Sequence, residues 1–261
     1  MKVATRQSPY NQVGLSLIEI MIALLIGAFL IGGVLQIFIG SKQTYRMQEN
    51  LSRLQENGRL ALDFLANDIR MAGYWGCLST SITNTDISGT NDNSDHGDTI
   101  DDGTDTITVK GAFALTPTGT CGTAVDTADS CGTGVNCYTD TSSTIYYKIN
   151  NGVLQQDTHG LHNGLVEGIE NMQILYGVDT GTDKTANYYV TADNVTSTDW
   201  PKVVSVRISL LAATLDDNLT TQPMPYTFNG ITTTTTSTPA VTDRKIRRVF
   251  TTTIALRNRL P

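Results

Sequence analysis

Basic charge is scarce in this 261-residue chain, where 18 Lys and Arg stand against 25 Asp and Glu for a net charge of −7. No global positive field is available to gather nucleic acid, so DNA or RNA is not expected as a direct ligand. Aromatic residues make up only 7%. There is no Walker loop, no H-E-x-x-H and no G-x-S-x-G, so the common signatures of enzymatic chemistry are missing. No catalytic residue and no cofactor is indicated. Only one long apolar run occurs, which excludes a polytopic membrane protein, and the composition excludes collagen and low-complexity disorder. No cysteine precedes Cys77, and no two are spaced C-x-x-C, so zinc and thioredoxin-like chemistry are not indicated. What the chain does hold is 23 Gly and a heavy load of Thr, Asn and Asp, the composition of a loop-rich β domain. The length suits one large domain or two small ones.

The single apolar run lies near the start. Residues 1–13 are polar and carry two cations, Lys2 and Arg6, with no acid. Gly14 follows, and from Leu15 to Ile39 the only ionisable residue is Glu19. Twenty-five helical residues reach about 37 Å, enough to cross a hydrocarbon core of about 30 Å. The run is too long for an ordinary secretory signal and lacks a small-x-small cleavage site. A lone carboxylate in such a helix costs on the order of 3 kcal/mol near the bilayer centre, so Glu19 calls for a partner or a purpose.

A short basic leader ending in Gly14, then Leu15-Ser16-Leu17-Ile18-Glu19 opening an apolar helix, resembles the type IV prepilins. The resemblance implies cleavage after Gly14 by the prepilin peptidase at the inner membrane and N-methylation of Leu15. That family more often has Phe where Leu15 stands. It also implies a role for Glu19. The amine freed at Leu15 and the Glu19 carboxylate attract strongly in a low dielectric, and their pairing between neighbouring subunits sets the register of a growing filament. Gly27, Gly32, Gly33 and Gly40 interrupt the run. Ala23/Gly27 and Ala28/Gly32 have the spacing that permits close helix approach, as ordinary membrane-helix glycines also do.

The helical pattern continues through residues 40–73. Met47, Leu51, Leu54, Ala61, Leu62, Leu65 and Ile69 mark one face. Glu49/Arg53 and Arg59/Asp63 stand four apart on the other, and Gly73 is the expected stop. Beyond it, β-branched and aromatic content predicts strands at 106–110, 144–149, 169–176, 188–191, 203–211 and 247–256. Asn151-Gly152 predicts a type I′ hairpin. The expected fold is α+β, a long N-terminal helix packed against an antiparallel sheet in a globular domain over residues 74–261.

Five stretches narrow the resemblance: Ser52–Arg59, Asp68–Tyr74, Gly168–Asp179, Val204–Leu211 and Arg247–Asn258. Together they are similar to the PilW family of minor pilins, over residues 13 to 259 with a variable middle. That implies a structural subunit of the type IV pilus, placed in the tip complex that primes assembly for motility, adhesion or DNA uptake. The implied partners are other minor pilins, the major pilin, the prepilin peptidase, the inner-membrane assembly platform and a large tip adhesin of the PilY class. The implied location is a single membrane span with a periplasmic C-terminal domain, then the pilus tip. A type II secretion pseudopilin of the J kind is the nearest alternative, and a membrane-anchored periplasmic binding protein the next.

Residues 78–140 hold ten aspartates and one cation, Lys110. Asn91, Asp92, Asn93, Asp95, Asp98, Asp101, Asp102 and Asp105 are oxygen donors of the kind Ca²⁺ takes, but without EF-hand spacing. A solvated acidic loop is therefore expected, with Ca²⁺ the alternative. Cys77, Cys121, Cys131 and Cys137 fall in the part placed in the oxidising periplasm, where disulfides form. Three pairings are open, of which Cys77–Cys121 with Cys131–Cys137 is preferred. His159 and His162, near Asp157 and Glu167, have no metal spacing and read as a polar loop after a hairpin. Arg244, Lys245, Arg247, Arg248, Arg257 and Arg259 form a basic cluster expected to pair with the acidic loop or a neighbouring subunit. Thr232–Thr236 reads as a surface loop.

Overall fold

The computed structural model describes residues 16–74, 86–91, 103–111, 143–158, 161–181, 183–237 and 239–259. Cα packing separates two compact units, residues 1–48 and 49–261. One helix, α1 (Leu17–Arg70), enters both. It starts two residues beyond the expected Leu15, with Ser16 just outside it.

In the first unit α1 is solvent-exposed throughout apart from partly covered Gly27. The stretch meets the length and hydropathy that a membrane span requires. In the second unit the same helix turns one face inward, burying Asn50, Leu54, Gly58, Ala61, Leu65, Ala66 and Ile69 at three- and four-residue steps. Leu51 and Leu62 are partly covered, while Met47, expected on this face, is 36% exposed. The helix ends at Arg70. Met71 and Ala72 donate to Asp68 and Ile69 in a tightened last turn, and Gly73 follows at φ 71° with its N–H on the Lys110 carbonyl at 2.8 Å. The glycine stop is where the pattern placed it, but its amide is satisfied by a strand rather than by the helix.

Eleven strands follow in the described residues. They are β1 (Ile87–Thr90), β2 (Thr106–Gly111), β3 (Ser143–Asn150), β4 (Val153–Thr158), β5 (Leu161–Glu167) and β6 (Ile169–Val178). Then come β7 (Tyr188–Val190), β8 (Val203–Ala213), β9 (Tyr226–Phe228), β10 (Ile231–Thr233) and β11 (Arg247–Ala255). The fold is α+β, as expected, but the strands form two antiparallel sheets and a hairpin rather than one sheet. One sheet runs β1-β2-β3-β4-β5, the other β11-β8-β6-β7, and β9-β10 stand apart. The core joins Leu54, Leu65 and Ile69 of α1 to Tyr147 and Leu154 of the first sheet. It continues into Met172, Ile174, Tyr176, Ile208 and Ile254 of the second.

The β3–β4 turn is Asn151-Gly152 at φ 50° and 72°, the type I′ geometry that the dipeptide favours. The same chemistry at Asn229 and Gly230, φ 48° and 79°, closes β9–β10. Of the Thr232–Thr236 stretch expected as a surface loop, Thr232 and Thr233 thus lie in a strand, and Thr234–Thr236 lie outside it. A second correction concerns His162. It lies on β5, opposite Asp157 of β4, with Nδ1 2.7 Å from Asp157 Oδ1. Lys148 Nζ approaches the other Asp157 oxygen at 3.5 Å. Cross-strand pairing of polar groups makes a strand where hydropathy shows none.

Candidate functional site

The helix segment that opens the chain carries the first candidate site. Ser16 caps it: the Glu19 N–H donates to Ser16 Oγ at 3.3 Å and to the Ser16 carbonyl at 3.1 Å. Ser16-Leu17-Ile18-Glu19 has the S-x-x-E spacing of a capping box, a local signal that marks the helix start in the sequence itself. Between Leu17 and Ile39, sixteen large apolar side chains are exposed, from Ile20 at 48% to Phe29 at 82%. Each forgoes about 1.5–3 kcal/mol while it stays in water, so the segment demands tens of kcal/mol of cover from lipid or from other helices. Added Cβ atoms on Gly27, Gly32, Gly33 and Gly40 would meet nothing within 4 Å. The chain's own packing therefore does not require these glycines, which leave space for a neighbouring backbone. Ile20, Ala23, Leu24, Gly27, Ala28 and Ile31 line a shallow apolar depression on this face.

The second candidate region is the β8–β11 end of the globular unit. Arg247, at the start of β11, is held by two carboxylates. Its Nε and Nη2 donate to Glu170 at 2.6 and 3.0 Å, and Nη1 and Nη2 donate to Asp243 at 2.7 and 2.6 Å. The Tyr226 ring lies 4.9 Å beneath the guanidinium. Burial alone would lower the Arg247 pKa, and the hydrogen bonds it donates to Asp243 and Glu170 carry it well above its usual value. The same bonds lower the Asp243 carboxyl below its usual 3.8. Arg247 thus pairs inside its own unit rather than with the acidic segment.

Arg259 does reach that segment. Its side chain is 2% exposed, as is Asp86, and the two lie 4.0 Å apart. Nη1 also donates to the Trp200 and Val203 carbonyls, and Asn258 Nδ2 donates to the Ala72 carbonyl at 3.0 Å. Burial lowers the Arg259 pKa and Asp86 works against it. Of the remaining cations, Arg248 and Arg257 are exposed. The Arg244 guanidinium meets Asn218, while its backbone N–H donates to Asp217 at 2.7 Å. Lys245 lines a groove of about 580 Å³ with Asn151, Glu167, Gly168, Glu170 and Leu215.

Several expected site residues lie outside the described residues: Gly14, Leu15, Cys77, Cys121, Cys131, Cys137 and His159, and, of the acidic segment, Asp92, Asn93, Asp95, Asp98, Asp101 and Asp102. Two acids of that segment, Asp86 and Asp105, are not solvated as expected but are 1% and 2% exposed. Asp105 accepts the Ile174 N–H at 2.6 Å while its own N–H donates to the Met172 carbonyl at 2.8 Å. That bracket ties the stretch before β2 to β6, where a carboxylate substitutes for a missing strand partner. Among the described residues no group of three or more His, Cys, Asp or Glu is placed to hold a metal ion.

Two further polar residues join the helix to the first sheet, and neither stood out in the sequence. Tyr147 Oη donates to Asp68 Oδ2 at 2.5 Å, and Gln156 Nε2 donates to the same oxygen at 2.9 Å. Burial, then the Asp68 charge, raises the Tyr147 pKa far above that of a free phenol.

A helix of this kind followed by these sheets can be compared with known families. Residues 135–258 match PilW, Type IV Pilus-assembly protein W. The PilW region takes in β3 to β11 and ends at Asn258, one residue before buried Arg259. The match spans just under half of the chain, and the family it points to is one of pilin-type structural subunits, not of enzymes. No curated protein matches the chain. Among solved structures, the type IV-like pilin TTHA1219 from Thermus thermophilus is 16% identical with a TM-score of 0.42, covering 80% of this chain and 100% of that one. A chain of the GspK-GspI-GspJ complex of the enterotoxigenic Escherichia coli Type 2 Secretion System is 11% identical with a TM-score of 0.30, covering 80% and 97%. Neither TM-score reaches 0.5, so neither likeness bears on function.

Proposed function

We propose that this chain is a minor pilin of a type IV pilus that works in the tip complex priming assembly. The observation that carries the reading is the apolar helix segment Leu17–Ile39, exposed at every residue but Gly27 and with Glu19 its single ionisable residue, on a chain that matches PilW over residues 135–258. Such a segment is stable in lipid and equally stable in a bundle of like helices, which is what transfer from membrane to filament requires. Cleavage after Gly14 creates a methylated amine at Leu15, four residues from Glu19. In the low dielectric of a helix bundle the two attract strongly when they meet and are costly when left alone. Each subunit is thereby drawn into the register that pairs them. The globular unit lies in the periplasm before assembly, where Cys77, Cys121, Cys131 and Cys137 form disulfides. It then offers lateral surfaces to other minor pilins, to the major pilin and to a PilY-class adhesin.

Mass spectrometry of the protein purified from its host tests this directly. The expected amino terminus is methylated Leu15, and the protein is expected in sheared pili. Glu19→Ala should be cut normally yet depleted from those pili at least tenfold. A terminus that retains residues 1–14, or Glu19→Ala present in pili at the wild-type level, overturns the reading. Loss of type II secretion with intact pili on deletion would assign the chain to a pseudopilus instead.

A further inference from the structure

Sheet edges invite pairing with foreign strands, and proteins blunt them by shortness, bulges, charge or proline. Among the described residues, three of the four edges of the two larger sheets are blunted. β7 has three residues and β1 four. β5 is joined to β4 through a register shift at Leu154/Gln155 and carries Asn163 and Gly164 at its middle. The fourth edge, β11, is nine residues long and pairs with β8 over nine consecutive positions without a shift. From Val249 to Ala255 it holds no charge and no proline.

The register fixes which amides face outward. Thr214 N–H donates to the Ile246 carbonyl at 3.0 Å and Leu256 N–H to the Val204 carbonyl at 2.9 Å. Antiparallel pairs alternate between bonded and non-bonded. Hence Arg248, Phe250, Thr252 and Ile254 bond to β8, while Val249, Thr251, Thr253 and Ala255 turn their N–H and C=O groups to the free edge. These four residues are also exposed, Val249 at 44%, and no described element pairs with them. Their side chains share the outer face, because Phe250 and Ile254 point to the core.

Charge decides the occupant. Arg248 and Arg257, both exposed, bracket the uncharged run, with Arg244 and Lys245 beyond one end. An antiparallel join of two copies centred on Thr251 sets Lys245 opposite Arg257 at both ends, and a parallel join aligns each cation with itself. Like charges directly opposite destabilise a strand pair. We propose that the free edge of β11 docks an extended strand of a different protein, uncharged at its centre and carrying Asp or Glu at both ends. Main-chain hydrogen bonds supply the attachment and the flanking arginines select the partner.

The test uses the full chain in detergent micelles and two synthetic nonapeptides. One is Glu-Thr-Val-Thr-Val-Thr-Val-Thr-Glu; the other replaces both Glu by Lys. Amide exchange is followed residue by residue. The Glu-ended peptide should slow exchange at Val249, Thr251 and Thr253 at least tenfold, leave Phe250 and Thr252 unchanged, and lose its effect at high salt. The Lys-ended peptide should protect at least tenfold less. Thr251→Pro removes only an outward N–H, a substitution that edge strands accept, and should abolish the protection. Should that variant not fold, Val249→Glu with Thr253→Glu repels the Glu-ended peptide without touching the β8 ladder and should do the same. No protection by the Glu-ended peptide, equal protection by both peptides, protection that survives in a folded edge variant, or dimers of the chain alone held through β11 would each overturn the proposal.

Discussion

Replacing Arg247 by Met tests how the globular unit fixes the start of β11. The wild-type guanidinium makes two hydrogen bonds to Glu170 and two to Asp243, all between 2.6 and 3.0 Å. Charge-assisted hydrogen bonds contribute about 1.5–3 kcal/mol each when isolated. The four are not additive, because burying the guanidinium opposes them. The carboxylates also keep 27% and 29% of their side-chain surface exposed and so recover water when the arginine is gone. The Tyr226 ring contact adds about 0.5–1 kcal/mol. The net expectation for Arg247→Met is a loss of about 2–4 kcal/mol. For a unit of about 200 residues that lowers Tm by roughly 5–12 °C. The assay is thermal unfolding of the full chain in detergent, followed by near-ultraviolet circular dichroism. Arg247→Lys keeps the charge without the planar fork and should lose at least half as much.

Acid provides a second axis. The Asp243 carboxyl is lowered in the folded protein, first by its hydrogen bond from Arg247. The stability it contributes is complete above its usual 3.8 and is lost as pH falls through the lower folded value. The gap in Tm between wild type and Arg247→Met should therefore be constant at neutral and mildly acid pH and narrow below about pH 4. The reasoning fails if Arg247→Lys melts with the wild type, if Arg247→Met melts within about 2 °C of it, or if the gap widens in acid.

Three further substitutions probe the core. A Cβ on Gly89 would overlap Tyr176 Oη and sit 2.6 Å from the Thr106 carbonyl. Gly89→Ala should therefore cost about 2–3 kcal/mol by denaturant unfolding. Adding Tyr176→Phe should recover only part, since the carbonyl remains; full recovery would show that β1 and β2 are not held as described. Tyr147→Phe removes one of the two donors to Asp68 Oδ2 and should cost about 1–2 kcal/mol. In wild type, Tyr147 and Tyr176 should stay protonated in alkaline solution where an ordinary phenol, near 10, has ionised. An absorbance titration in which every tyrosine ionises together, before unfolding, would refute both burials.

The apolar helix, the Asn151-Gly152 turn, the Gly73 stop and six of the strands follow from local pattern, because hydropathy period and turn conformation involve neighbours in the chain. The opening segment with Glu19 is legible for the same reason: an uninterrupted apolar run is a property of residues next to one another. Gly58 carried no such signal. Only the approach of Phe250 explains its burial in the helix face, since a Cβ there would overlap the ring. Asn50 likewise looked like a surface residue and is 6% exposed, with Nδ2 donating to Asp216 at 3.1 Å across 166 residues of sequence. His162 and Thr232 lay in segments too polar to read as strands, and both are strands because their partners supply the hydrogen bonds. The pairing of Arg247 with Glu170, of Arg259 with Asp86, and the place of β11 at a sheet edge were decided by the tertiary structure alone. Composition shows that a strand exists, but which side of it remains free depends on what the rest of the chain has already paired.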